Sequence, residues 1–232
     1  MGTLRIVSHS GEAFRDRVVA GQLLAKELAD WRGKRAVVLG IPRGGLVVAR
    51  ELAHGIEAEL DIVLSRKLRT LGHEELAMGA IAEDGKVFLN EDVVSEMGIS
   101  PNGSYLRRER DIQMQEIARR AELIRQVRPR VPLGGRIAIV TDDGVATGAT
   151  MQAALWAARQ ENPSQLVVAL PVGPGDTVSR LAEDADELIC LRVPPYFAAV
   201  GQFYMRFGQV EDDEVLAILK EEKQRSRVKG GE

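Results

Sequence analysis

Two adjacent carboxylates, Asp142 and Asp143, close the apolar run Ile137 to Thr141 and stand just before a turn of small residues, Ala146 to Thr150, that leads into a helical pattern. In such a turn successive backbone N–H groups can face an anion with a helix dipole behind them. The hydroxyls of Thr147 and Thr150 stand beside those groups, so Ala146, Thr147, Gly148, Ala149 and Thr150 read as a cradle for a phosphate. It is not a Walker A loop, because no lysine follows Gly148. Carboxylates repel phosphate but accept hydrogen bonds from vicinal hydroxyls. Since the acidic pair precedes the cradle by roughly the width of one sugar, the pattern predicts a ribose held by Asp142 and Asp143 with its 5-phosphate in the turn. The plainer alternative is an Asp-rich helix cap at a strand end.

Two more turns could serve the same ligand. The segment "GIPRGGLVVARELA" again runs strand, glycine turn, helix. Gly44 and Gly45 allow close approach of a ligand to the main chain, and Arg43 offers planar bidentate donors to a diphosphate. Alternatively this is a tight turn with an arginine facing solvent. Arg66 and Lys67 follow the run "LDIVLS", and the stretch after them, including Gly72 and His73, reads as loop rather than strand. A solvated basic strand end is the alternative there.

The elements that must position these residues alternate along the chain. Short apolar runs rich in Val and Ile at 36–40, 60–65, 136–141, 165–172 and 187–191 suit strands buried on both faces. Helical patterns lie between them, at 46–54, 104–127, 148–159 and 176–183, with others before the first run and at the carboxyl end. The pattern predicts an α/β fold: a Rossmann-like, mostly parallel sheet with helices on both faces. In such a sheet ligands bind at the carboxyl ends of the strands, where all three turns fall. An Asp84–Gly85 turn between two short apolar runs predicts a hairpin added to the sheet. Residues 1–223 are expected to form one domain, with a small hood at about 193–209 and a disordered tail at 224–232.

Asp142, Asp143, Ala146, Thr147, Gly148 and Thr150 resemble, position by position, the fingerprint of the type I phosphoribosyltransferases, although Ala149 stands where many members carry a second glycine. Over almost the whole chain, "FRDRVVAGQLLAKEL", "ELAMGAIAEDG", "VVALPVGP" and "FAAVGQFYMRFGQVEDDEV" are similar to a group of such transferases with unassigned substrates. The resemblance implies that 5-phosphoribosyl-1-pyrophosphate binds with Mg2+. The cation would be carried mainly by the diphosphate, with Asp142 and Asp143 as further candidate ligands. It also implies that the Arg43–Gly44–Gly45 turn holds the leaving pyrophosphate, sometimes through a cis peptide, and that Arg43, Arg66 and Lys67 neutralise it under a closing loop. Pyrophosphate would depart and a nitrogen nucleophile would attack C1. Members acting on 6-oxopurines carry an aspartate just before "TG"; Ala146 stands there, so hypoxanthine and guanine are not expected acceptors. The hood concentrates Tyr196, Phe197, Phe203, Tyr204 and Phe207 in a chain only 4% aromatic. Tyr196, Phe197 and Tyr204 could therefore stack on a flat heterocycle, the alternative being ordinary core.

Other features narrow the class. A net charge of −3 with interleaved signs argues against nucleic acid as a partner. One cysteine, Cys190, excludes an intramolecular disulfide, and no apolar run is long enough to span a bilayer. The expected setting is cytoplasmic and the expected partners are small molecules. A homodimer through the helix at 104–127 is open, since Ile112, Met114, Ile117, Leu123 and Ile124 must cover something. His9 and His54 have no metal-ligand spacing around them. The reading from a different class is a non-catalytic sensor that binds the activated sugar or a nucleotide; a leaving-group clamp is more than such a sensor needs.

Overall fold

The continuous apolar runs become the interior of one parallel sheet. The computed structural model describes residues 2–70, 73–101 and 103–229. Its main sheet has the order β1 (Thr3–Ser8), β9 (Glu187–Arg192), β8 (Gln165–Val172), β7 (Ile137–Thr141), β2 (Val37–Gly40) and β3 (Glu59–Ile62), every pair parallel. Alternate side chains leave opposite faces, as the pleat requires. Val38, Ile139, Val167 and Ile189 join one core with Leu24 of α1 (Arg17–Glu27) and Leu52 of α2 (Gly44–Gly55). Leu39, Val140, Val168 and Leu188 join the other with Leu155 of α5 (Ala149–Arg159) and Leu181 of α6 (Gly175–Leu181). Taking each such side chain out of water is worth about 1.5–3 kcal/mol, which holds the helices to both faces.

The structure departs from the sequence expectations in four places. The run expected as one strand from Leu60 to Ser65 breaks: β3 ends at Ile62 and β4 (Ser65–Thr70) begins a second sheet. The stretch expected as loop after Lys67 is strand instead, with β4 paired antiparallel to β5 (His73–Ala82); Leu71 and Gly72 lie outside the described residues. The Asp84–Gly85 hairpin is present, but β5 and β6 (Val87–Leu89) belong to this separate three-stranded sheet and do not extend the main one. Finally, α7 (Asp212–Lys229) continues as helix through 224–229, where a disordered tail was expected.

The small sheet is fastened by charge and by packing. Asp61 of β3 is 1% exposed and accepts from the amides of Ile62 (2.8 Å) and Val131 (2.9 Å) and from Arg125 Nη1 (2.7 Å). Arg125, on α4 (Ser104–Val127), also donates to Glu83 in the hairpin turn at 3.0 Å. Phe88 of β6 lies against Trp156 of α5, with ring centroids 4.5 Å apart. Along α4, Ile117 and Ile124 are buried while Ile112 and Leu123 remain about half exposed. Between β6 and α4 runs α3 (Glu91–Glu96), capped by the Asn90 side chain on the Val93 amide.

The strand order sets where a ligand can enter. From β2 the chain crosses by α2 to β3 on one side, and from β7 it crosses by α5 to β8 on the other. β2 and β7 are neighbours, with Gly40 opposite Thr141. The crevice beyond their carboxyl ends is thus the point where the winding reverses, the place ligands use in open α/β sheets.

Candidate active site

Two of the three turns meet at that crevice. Thr141 is fully buried at the end of β7, and Asp142 and Asp143 follow at the mouth. Opposite them the β2–α2 turn carries a cis peptide between Pro42 and Arg43, and its two glycines pack directly on the acidic pair. A Cβ on Gly44 would lie 2.1 Å from Asp143 Oδ2, and one on Gly45 would lie 2.7 Å from Asp142 Oδ1, so neither position has room for a side chain. The carboxylates expected to accept sugar hydroxyls and the turn expected to hold the diphosphate are one surface.

The small-residue turn follows. Gly148 takes φ of 78°, a left-handed conformation that glycine enters without penalty, and α5 begins at the next residue. Thr177 Oγ1 donates to the Ala146 carbonyl at 2.9 Å and Arg180 Nη2 to the Thr147 carbonyl at 2.6 Å, both from α6. Because N–H and C=O of a trans peptide point in opposite directions, the amides of Thr147 and Gly148 are aimed away from α6, at the open side where Ala146, Thr147 and Thr150 are exposed. Amides held this way at a helix start suit an anion. Sequence reasoning missed Thr177 and Arg180, which reach back from about 30 residues further along the chain.

The family model of the phosphoribosyl transferase domain matches residues 16–207, which include all of these turns. The chain belongs to this family. Among curated relatives it is 48% identical over 206 residues to the protein named "Putative phosphoribosyl transferase Rv0571c" of Mycobacterium tuberculosis strain H37Rv, covering 89% of this chain and 46% of that protein. The corresponding protein of strain CDC 1551 gives the same figures. The chain thus spans about half the length of the curated relatives it matches. The crystal structure of the protein TT1426 from Thermus thermophilus superposes with a TM-score of 0.85 at 46% identity, covering 90% of this chain and 98% of that one.

Within this phosphoribosyl transferase domain the acidic pair is electrostatically loaded. Burial, then the neighbouring charge of Asp143, pushes the Asp142 carboxyl well above the usual carboxylate range. Burial also raises Asp143, opposed by the hydrogen bond and charge of Arg17. Arg17, on α1, donates from Nε to Asp143 Oδ2 at 2.7 Å and from Nη1 to the Gly208 carbonyl at 2.8 Å, and its guanidinium lies 4.0 Å from the Phe207 ring centroid. Sequence reasoning missed it too. It sits 126 positions from its partner, and nothing near "FRDR" marks it.

The expected pyrophosphate cations are distributed differently. Arg43 Nη1 lies 3.6 Å from Glu211 and 3.8 Å from Asp212, both well exposed, next to the start of α7. Arg120 of α4 lines the same surface depression as Pro42 and Arg43. Arg66 projects toward Glu116 of α4 at 3.6 Å; burial, then the charge of Arg120, lowers its pKa. Lys67 is on β4 opposite Ala80. Arg43, Arg66 and Arg120 therefore gather beside α4.

The hood also differs from expectation. Tyr196 is 86% exposed, Phe197 stacks on Phe203 with centroids 5.2 Å apart, and Tyr204 is buried between Phe14 and Phe207. Burial raises the Tyr204 hydroxyl pKa, and that hydroxyl donates to the Asp143 carbonyl at 2.6 Å. Tyr204 thus braces the acidic pair and offers no face for a base to stack on. The hood is woven from two parts of the chain: Phe14 N–H donates to the Phe203 carbonyl (2.7 Å), Met205 N–H to that of Phe14 (2.8 Å) and Arg206 N–H to that of Arg15 (3.0 Å). Cys190 is fully buried with its thiol pushed up to about 12, so it stays protonated and inert.

Among the described residues no group of three His, Cys, Asp or Glu side chains is placed to hold a metal ion. A divalent cation still fits here as a companion of a bound diphosphate, since a cation beside Asp142 and Asp143 would relieve their mutual repulsion. No helix among the described residues is long and apolar enough to cross a membrane.

Proposed function

We propose that this chain transfers the 5-phosphoribosyl group of 5-phosphoribosyl-1-pyrophosphate to a nitrogen of a nucleobase-like heterocycle, releasing pyrophosphate. The observation that carries this reading is the direct packing of Gly44 and Gly45 on Asp142 and Asp143, which the 146–150 turn follows in the chain. That arrangement suits a ligand with hydroxyls in the middle and phosphate at both ends. Asp142 and Asp143 accept from the ribose hydroxyls, and the amides of Thr147 and Gly148 with the Thr150 hydroxyl receive the 5-phosphate. The Arg43–Gly44–Gly45 turn receives the diphosphate, whose charge Arg43, Arg66 and Lys67 offset. Mg2+ carried on the diphosphate, with Asp142 and Asp143 nearby, would neutralise the leaving group.

Chemistry in this reading is mostly positioning. As the C1–O bond to pyrophosphate lengthens, the ribosyl centre gains positive character, and the carboxylates beneath the sugar are fixed in place for it. The nucleophile then attacks C1 from the opposite face and loses its proton to solvent or to a nearby base. Such a reaction belongs to cytoplasmic nucleotide metabolism.

The test is pyrophosphate release from the activated sugar and Mg2+ against a panel of purines, pyrimidines and small nitrogen heterocycles, with Asp142→Asn/Asp143→Asn as the control. Release that requires one acceptor and disappears in the double variant is expected. Tight binding of the sugar with no turnover against any acceptor would convert the reading to the non-catalytic sensor, and absence of binding would remove the site assignment altogether.

A further inference from the structure

Arg17 is one side chain with three attachments. Its Nε holds Asp143 Oδ2 at 2.7 Å, its Nη1 holds the Gly208 carbonyl at 2.8 Å, and its guanidinium plane covers the Phe207 ring at 4.0 Å. Arg17 and Asp143 side chains are only 11% and 15% exposed, so these contacts are largely shielded from water. Phe207 and Gly208 belong to the hood, whereas Asp143 belongs to the sugar site. Tyr204 also bridges the two, through its bond to the Asp143 carbonyl, but it touches the backbone there and leaves the carboxylate alone. The planar fork of an arginine can serve a carboxylate, a carbonyl and a ring at once; an ammonium cannot.

We infer that Arg17 is a positioning residue that couples occupancy of the sugar site to the hood. This rests on the reading of Asp143 as a ribose ligand. A free carboxylate can turn either oxygen to a hydroxyl, but Oδ2 is taken by Arg17 and crowded by Gly44, so Oδ1 is the oxygen presented to the sugar. When ribose fixes Asp143, the same guanidinium is fixed, and with it the Gly208 carbonyl and the Phe207 ring. The hood is then ordered when the sugar site fills.

The experiment is amide hydrogen exchange over residues 203–208, with and without ribose 5-phosphate, alongside calorimetric affinity for that ligand. In the unaltered protein the sugar phosphate is expected to slow exchange at the Met205 and Arg206 amides, which bond to Phe14 and Arg15. Arg17→Gln should weaken binding about tenfold, the effect of one lost charge-assisted hydrogen bond. Arg17→Lys should recover most of that affinity and still fail to slow hood exchange, because one ammonium cannot span both attachments. Phe207→Leu, which leaves Asp143 and its arginine in place, should keep the affinity and reduce the protection at least by half. Full hood protection in either Arg17→Lys or Phe207→Leu would overturn the coupling. No binding of ribose 5-phosphate by the unaltered protein would instead defeat the sugar-site reading on which it rests.

Discussion

Replacing Gly44 by alanine sets two physical effects against each other. Gly44 is the first residue of α2, and by helix propensity alone alanine there should stabilise by at most about 1 kcal/mol. The added Cβ, however, would lie 2.1 Å from Asp143 Oδ2 and 2.8 Å from Arg17 Nε. Asp143 would have to swing away and give up its 2.7 Å bond to Arg17, a largely buried charge-assisted contact worth about 1.5–3 kcal/mol. The net is a loss of about 1–2 kcal/mol, or a melting temperature about 2–8 °C lower for a domain of this size. Affinity for ribose 5-phosphate should fall at least about tenfold, since the displaced carboxylate is the proposed hydroxyl acceptor. Scanning calorimetry and titration calorimetry read the two quantities, with Gly11→Ala as the control because a Cβ there meets nothing within 4 Å. A Gly44→Ala protein that melts at or above the parent temperature would show that propensity governs this position and that the two turns are not in contact.

Other outcomes follow from the same geometry. Asp142→Asn should raise the melting temperature at pH 7 while weakening sugar-phosphate binding, because burial and Asp143 penalise the ionised form in the fold; a lower melting temperature would contradict that. Glu222 is buried on α7 beside His54 and Arg225; burial alone would raise its carboxyl, but His54 and the nearby arginines hold it below the ordinary 4.5. A depressed folded-state pKa stabilises above the unfolded value and is lost as pH falls through the folded one. Glu222→Gln should therefore cost about 1–2 kcal/mol at pH 7 in urea unfolding and progressively less below pH 4.5, and a constant difference would refute the charge argument. Neutralising Glu211 and Asp212 together should tighten pyrophosphate binding about two- to fivefold by freeing Arg43 from weak exposed pairs; unchanged binding would separate Arg43 from the diphosphate. Hypoxanthine and guanine should give no pyrophosphate release, with Ala146 at the position before "TG", and clear turnover of either would remove that exclusion.

The buried strands were legible because both of their faces are apolar, so β2, β7, β8 and β9 stand out as runs of Val, Ile and Leu. Where a strand lies at an edge or in the small sheet the signal fades. β1 alternates exposed and half-buried residues, and β4 reads "SRKLRT", three charges in six residues, of which Arg66 pairs with Glu116 of α4. The run expected to continue through Ser65 ends at Ile62, beside the pair that Asp61 makes with Arg125, a partner 64 positions away that no local pattern reveals. At the site, Asp142, Asp143 and the 146–150 turn were visible as local patterns. Arg17, Thr177 and Arg180 were not, since each acts on a residue that only the strand order brings near.

The two-part hood bears on how the chain is made. Phe14 and Arg15 supply partners to residues 203–206, so about 190 positions separate the halves of one small structure. At a synthesis rate of about 5–20 residues per second, the first half leaves the ribosome roughly 10–40 s before the second. Strands β2, β3, β7 and β8 can pair during that interval, but the hood cannot close until β9 has been laid beside β1 and the segment at 203–206 has emerged. An amino-terminal fusion or cleavage near residue 14 is therefore felt at the opposite end of the gene, as a loosened hood at residues 203–206.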